Sequence, residues 1–114
     1  MTVRELAAEL DLEVKAGSAG LDRGITGGYA SDLLSDVMAN AKDGNVWVTL
    51  HRHPNVVAVA VNGGLAGVIL VNGREPEEAT REKAEQEGVP ILVSQLPAFE
   101  LAGRMHRAGI LGQS

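Results

Sequence analysis

The stretch TLHRHPNVVAVAVNGG, residues 49–64, decides the fold. Val56 to Val61 alternate valine and alanine with no usable period, and β-branched residues favour a strand. Asn62-Gly63 is a strong hairpin dipeptide, so residues 46–71 can be read as a three-stranded meander. The same residues also fit a helix. Pro54 suits a first helical turn and Asn62-Gly63 a helix C-terminus, and the segments beyond alternate strand and helix. Local signals divide evenly between the two.

The flanks are clearer. Thr2 and Glu5 form a capping-box pattern, with Val3, Leu6, Ala7 and Leu10 at helical spacing, which predicts a helix over about 2–10. LEVKAG (12–17) and RGITGG (23–28) read as short strands around a glycine-rich turn. SDLLSDVMANAKDG (31–44) reads as a helix: Ser31 caps it, Asp32 complements the dipole, Gly44 stops it. Leu33, Leu34, Val37, Met38 and Ala41 would form its apolar face. NVWVTL (45–50), GVILV (67–71) and PILVS (90–94) are expected core strands. EPEEATREKAEQEG (75–88) is a charged helix with Pro76 in its first turn, Glu77 and Arg81 spaced i,i+4, and Gly88 at its end. Pro97 opens a last helix with Ala98, Leu101, Ala102 and Met105 on one side and Gly109 beyond it.

At 114 residues, 45% hydrophobic and 22% charged, the chain fits one globular domain spanning 1–114. A net charge of -5, with one Trp, one Tyr and one Phe, favours neither nucleic acid nor an anionic membrane. The absence of cysteine excludes disulfides and thiolate chemistry. The amphipathic, charged start is unlike a signal peptide, and no run reaches the ~18 apolar residues of a membrane span. A cytoplasmic protein is expected.

GGYASDLLSDVMANA (27–41), followed by VWVTL and NVVAVAV, resembles the DRTGG domain in its short stand-alone form. The resemblance covers roughly residues 2–110. Related domains occur in some phosphotransacetylases, beside CBS domains in pyrophosphatases, and as cousins of the N-terminal domain of HPr kinase/phosphorylase. Where the family has Gly-Asp-Arg before a helix, this chain has Leu50-His51-Arg52; where the family has Thr-Gly-Gly, it has Val71-Asn72-Gly73. Arg52 and Gly73 match the pattern. The resemblance implies a helix over about 54–62 and an α/β fold with a central, mostly parallel sheet and helices on both faces. It also implies a non-enzymatic regulatory or interaction module, a homodimer acting on a separate metabolic or redox enzyme partner.

Several chemistries compete for the opening stretch. On a strand, His51 and His53 would face one side and could share a metal, but His106 is remote and no third ligand is evident. No metal and no cofactor is expected. If Pro54 begins a helix, residues 51–55 lie at its N-terminus, and Arg52 supplies a bidentate donor for a nucleotide or other small anion. Thr49, His51, Arg52, His53, Asn72, Gly73 and Ser94, with Arg74 and Gln95 nearby, would gather beyond the carboxyl ends of the strands. Gly27 and Gly28 precede a helix, but no glycine in the chain is followed by lysine, as a Walker loop requires. They would instead shape the backbone by close approach or positive φ. Ser31, Ser35 and Ser94 lack an elbow motif, and Asp32 and Asp36 read as a solvated helix face. A ligand sensor is therefore the second reading and a small enzyme the third.

Overall fold

The structure is a computed structural model and describes residues 1–112. Its elements are α1 (Val3–Glu9), β1 (Glu13–Ala16), a 3-10 turn at Ser18–Gly20, β2 (Gly27–Ala30), α2 (Leu34–Asn40), β3 (Asn45–Thr49), α3 (Asn55–Gly63), β4 (Gly67–Leu70), α4 (Glu78–Glu87), β5 (Ile91–Val93) and α5 (Ala98–Arg107). The five strands form one sheet in the order β1-β5-β4-β3-β2. β2, β3, β4 and β5 are parallel, and β1 closes one side antiparallel to β5.

Residues 55–63 are helical because β3 and β4 are adjacent and parallel. A parallel pair cannot be joined by a hairpin and needs a crossover. The meander reading fails on that geometry. Val56, Val57, Val59 and Ala60 are all buried against the sheet. Each valine costs a few tenths of a kcal/mol in helix propensity, whereas burying it recovers about 1.5–3 kcal/mol. Gly64, at φ 63, closes the helix: its N–H bonds Ala60 and Val61 carbonyls, and a Cβ there would stand 2.1 Å from Asp43 Oδ1.

β4 and β5 are apolar throughout and β3 is so between Asn45 and Thr49, yet their side chains alternate between two cores. Val46, Val48, Ile69, Val71 and Leu92 pack with α1 and α5. Trp47, Val68, Leu70, Ile91 and Val93 pack with α2, α3 and α4. All three crossovers therefore lie on one face, and the sheet is built in one direction from β2 to β5, as crossovers of a single hand require. The parallel strands have no reversal of order, so the crevice between diverging helices that usually holds ligands in open α/β sheets is not formed.

The terminal helices follow their sequence signals. Thr2 Oγ1 accepts the Glu5 N–H at 3.2 Å while Glu5 Oε1 accepts the Thr2 N–H at 2.8 Å, a complete capping box. Gly88 ends α4 at φ 68, and Pro97 precedes the first residue of α5. Other expectations need correction. The second strand starts at Gly27 and runs to Ala30, because it pairs with β3, while Gly24 makes only a bridge to Thr2. α2 starts at Leu34 without a side-chain cap and ends at Asn40, before Gly44. Ser31 Oγ instead accepts the N–H of Leu33 in a turn. Leu33 and Met38 are 64% and 61% exposed, since α2 covers the rim of the sheet and buries only Val37 fully. Pro76 lies before the N-cap Glu77 of α4, and Glu77 and Arg81 form no ion pair.

Candidate functional site

The carboxyl ends of β2, β3, β4 and β5 meet at one edge, and the loops leaving them carry most of the candidate residues. Asp32 organises this edge. It follows β2, whose end lies beside β3 in register, Ala30 opposite Val48. One carboxylate oxygen, Oδ1, accepts the Thr49 hydroxyl at 2.8 Å and the Leu50 N–H at 2.7 Å. Thr49 is buried, and its Oγ1 in turn accepts the His51 N–H at 3.3 Å. The His51 ring bonds through Nε2 to the Asp32 carbonyl. Asp32 is therefore a fastening for the end of β3, not a dipole cap for α2. Asp36, one turn on, is engaged elsewhere: its carboxylate accepts the Tyr29 hydroxyl at 2.8 Å and the Asn40 amide at 2.9 Å. The Tyr29 bond is the main cause holding the Asp36 carboxyl below the usual aspartate range, with Ser31 and Asn40 adding to it.

His53 Nδ1 accepts the N–H of Asn55, the first residue of α3, at 3.1 Å. Val56 and Val57 donate to the carbonyls of His53 and Pro54. The first donors of α3, which sequence reasoning offers to an anion, are thus taken up by the chain itself. His51 and His53 lie past the end of β3 and direct their rings to different partners. Among the described residues no group of three or more His, Cys, Asp or Glu could hold a metal ion.

Two arginines tie the β3–α3 and β4–α4 loops together reciprocally. Arg52 Nε donates to the carbonyl of Glu75, and Arg74 Nε donates to the carbonyl of Leu50 at 2.9 Å. The Arg52 carbonyl accepts the Glu77 N–H at 3.2 Å and the hydroxyl of buried Thr80 at 2.6 Å. Lys15 pairs with Glu75 at 3.1 Å and with Glu13 at 3.0 Å, so that carboxylate does not neutralise either arginine. Among the described residues the terminal nitrogens of both guanidinium groups have no protein partner. Asn72 and Gly73 turn the β4–α4 loop in the left-handed region, at φ 59 and 66. Their N–H groups bond the Leu96 and Ser94 carbonyls, and a Cβ on Gly73 would lie 2.5 Å from Gln95 Oε1. Ser94 is buried with its hydroxyl accepting the Leu96 N–H.

A groove of about 250 Å³ opens on the α5 side of this edge, lined chiefly by Ala30, Asp32, Val48, Leu50, Asn72 and Ala98. Of the seven sequence candidates, Thr49 and Asn72 line it. His51, Arg52, His53, Gly73 and Ser94 instead hold the loops around it. A second hollow, about 180 Å³, continues along β2 and α5 past Gly28 and Met105. Gly28 and Gly27 do not have positive φ. Gly28 permits close approach: a Cβ there would meet Ile110 at 3.3 Å and Met105 at 3.4 Å. Asp32, Thr80 and the Arg74–Leu50 bond are what the sequence reading missed, and nothing in local spacing points to them.

The sequence profile of the DRTGG domain matches residues 5–108. No curated protein matches the chain. Among solved structures it is similar to the CBS and DRTGG domains of the regulatory region of Clostridium perfringens pyrophosphatase, crystallised with the activator diadenosine tetraphosphate. The TM-score is 0.73 at 10% identity, over 90% of this chain and 44% of that one. The chain thus spans less than half of that neighbour, and the likeness is one of fold. With the profile covering nearly its whole length, the chain belongs to the DRTGG domain family.

Proposed function

We propose that the chain is a non-enzymatic regulatory module of the cytoplasm, acting as a homodimer on a separate enzyme partner. Its signal is a nucleotide or another small anion held by Arg52 and Arg74. The observation that carries this reading is the reciprocal arginine clasp. Each guanidinium is fixed through Nε to a backbone carbonyl, while its terminal nitrogens stay open. Such preorganised forks suit a phosphate or carboxylate bidentately and lose little freedom on binding. Because the clasp joins two loops, an anion there tightens both and alters the surface offered to a partner.

Support for a regulatory rather than catalytic role comes from the groups around it. Both histidines serve the backbone, and the Ser94 hydroxyl accepts a backbone N–H. None is placed beside another as nucleophile and base. The similar pyrophosphatase region is itself regulatory and binds a polyphosphate dinucleotide, which makes that compound a reasonable probe.

The test is a thermal-shift titration with diadenosine tetraphosphate, ATP, AMP, acetyl phosphate and inorganic phosphate. A ligand of the native state raises Tm by mass action, by about 2.7 kcal/mol of added stability at a hundredfold excess over Kd. At least one anion should shift Tm for the wild-type chain and lose most of that shift in Arg52→Ala/Arg74→Ala. No shift with any anion, or an equal shift in the double variant, overturns the ligand reading.

A further inference from the structure

Phe99 is the chain's one phenylalanine, and it is 88% exposed. It stands on α5, whose Leu101 and Met105 are buried on the opposite side. At about 3.6 residues per turn, Phe99, Gly103 and Arg107 run down the outward face, with Glu100 and Arg104 along one flank. These five residues line a shallow hollow of about 200 Å³. A Cβ on Gly103 would meet nothing within 4 Å, so its backbone lies open on the surface. Glu100 precedes Arg104 by four residues and Arg107 by seven, yet it enters no ion pair among the described residues, and neither do the arginines.

We infer that the outward face of α5 is where a second copy of this chain docks, the two α5 helices crossing antiparallel at Gly103. This names the interface of the homodimer proposed above and rests on that reading. A two-fold axis through the crossing places position i of one helix near position 206 minus i of the other. Glu100 of each copy then faces Arg104 and Arg107 of the other, on the same flank, and Phe99 faces His106 and Arg107. The patch is complementary to itself in charge: acid at the helix start, base at its end, with helix dipoles opposed. Phe99 supplies the aromatic anchor and packs on cationic or aromatic partners. Gly103 supplies the missing side chain that lets the backbones approach. Such a contact is isologous and closes at two copies. An acidic partner protein would match the arginines but would leave Glu100 facing a like charge.

The absence of cysteine makes the test direct. A disulfide forms only where two Cα atoms come within about 7 Å. Gly103→Cys should therefore oxidise to a covalent dimer in air, whereas Ala79→Cys on the exposed face of α4 should not. In sedimentation, Phe99→Asp should raise the dimer Kd by about tenfold or more without lowering Tm. Glu100→Arg should do likewise, and Arg104→Glu/Arg107→Glu added to it should restore association. A wild-type chain that stays monomeric at micromolar concentrations overturns both the dimer and this interface. A wild-type dimer that Phe99→Asp leaves intact, with no more cross-linking at Gly103→Cys than at Ala79→Cys, overturns the interface and leaves the dimer standing.

Discussion

The carboxyl edge of the sheet and the outward face of α5 carry similar residue types and use them in opposite ways. At the edge, Asp32, His51, Arg52, Arg74 and Thr80 are each tied to a backbone group from another part of the chain, and His53 to the Asn55 N–H two residues on. On α5, Phe99 is exposed, and Glu100, Arg104 and Arg107 form no ion pair among the described residues although their spacing would allow it. Chemically versatile side chains thus mark a loop that must be held in shape as readily as a reactive centre. What remains open after folding is the better guide to binding. At the edge that is two pairs of guanidinium nitrogens, and on α5 it is a whole face.

The contrast breaks most visibly at Asp32. Asp32→Ala removes the acceptor for buried Thr49 and for the Leu50 N–H, and hydrogen bonds to a charged acceptor contribute about 1.5–3 kcal/mol. Chemical denaturation should show a loss of about 2–3 kcal/mol. An effect below about 0.5 kcal/mol, the usual range of a surface substitution, would put Asp32 with the untied residues of α5. Thr80→Val keeps the buried volume but deletes the hydroxyl on the Arg52 carbonyl, which the Glu77 N–H still satisfies. The expected loss is smaller, about 1 kcal/mol.

A smaller effect, read in direction, comes from pH. The Tyr29 hydroxyl depresses the pKa of Asp36 from its ordinary 3.8. A depressed carboxyl contributes stability that is present above the unfolded value and lost as pH falls through the folded one. Tyr29→Phe should therefore flatten the acid limb of the stability curve below about pH 4, leaving its slope near neutrality unchanged. An acid limb unaltered by Tyr29→Phe would contradict that assignment.

Elements with their own punctuation were legible in the sequence: α1 from Thr2 and Glu5, the end of α4 from Gly88, the start of α5 from Pro97. The parallel connection that makes residues 55–63 helical was not, because it depends on which strands neighbour each other. Family resemblance supplied what local signals left even. The role of Asp32 was hidden for the same reason, since its partners Thr49 and Leu50 lie 17 and 18 positions away. Leu33 and Met38 looked like a core face because nothing local reveals that β2 is an edge strand and that α2 covers only its rim. Arg52 was visible as a candidate anion donor, but its bond to Glu75, 23 residues on, was not. Phe99 never fitted the apolar stripe of Ala98, Leu101, Ala102 and Met105, and that misfit was the readable sign of its exposure.

Backbone amide NMR of the wild-type chain, titrated with diadenosine tetraphosphate, measures both regions at once. Perturbed amides in residues 50–53 and 72–75, no change along 98–107, and phosphorus signals that stay those of the intact dinucleotide are the predicted result. Unperturbed loops, perturbation confined to α5, or conversion of the dinucleotide would contradict the account of a module that binds an anion at its clasped edge without transforming it.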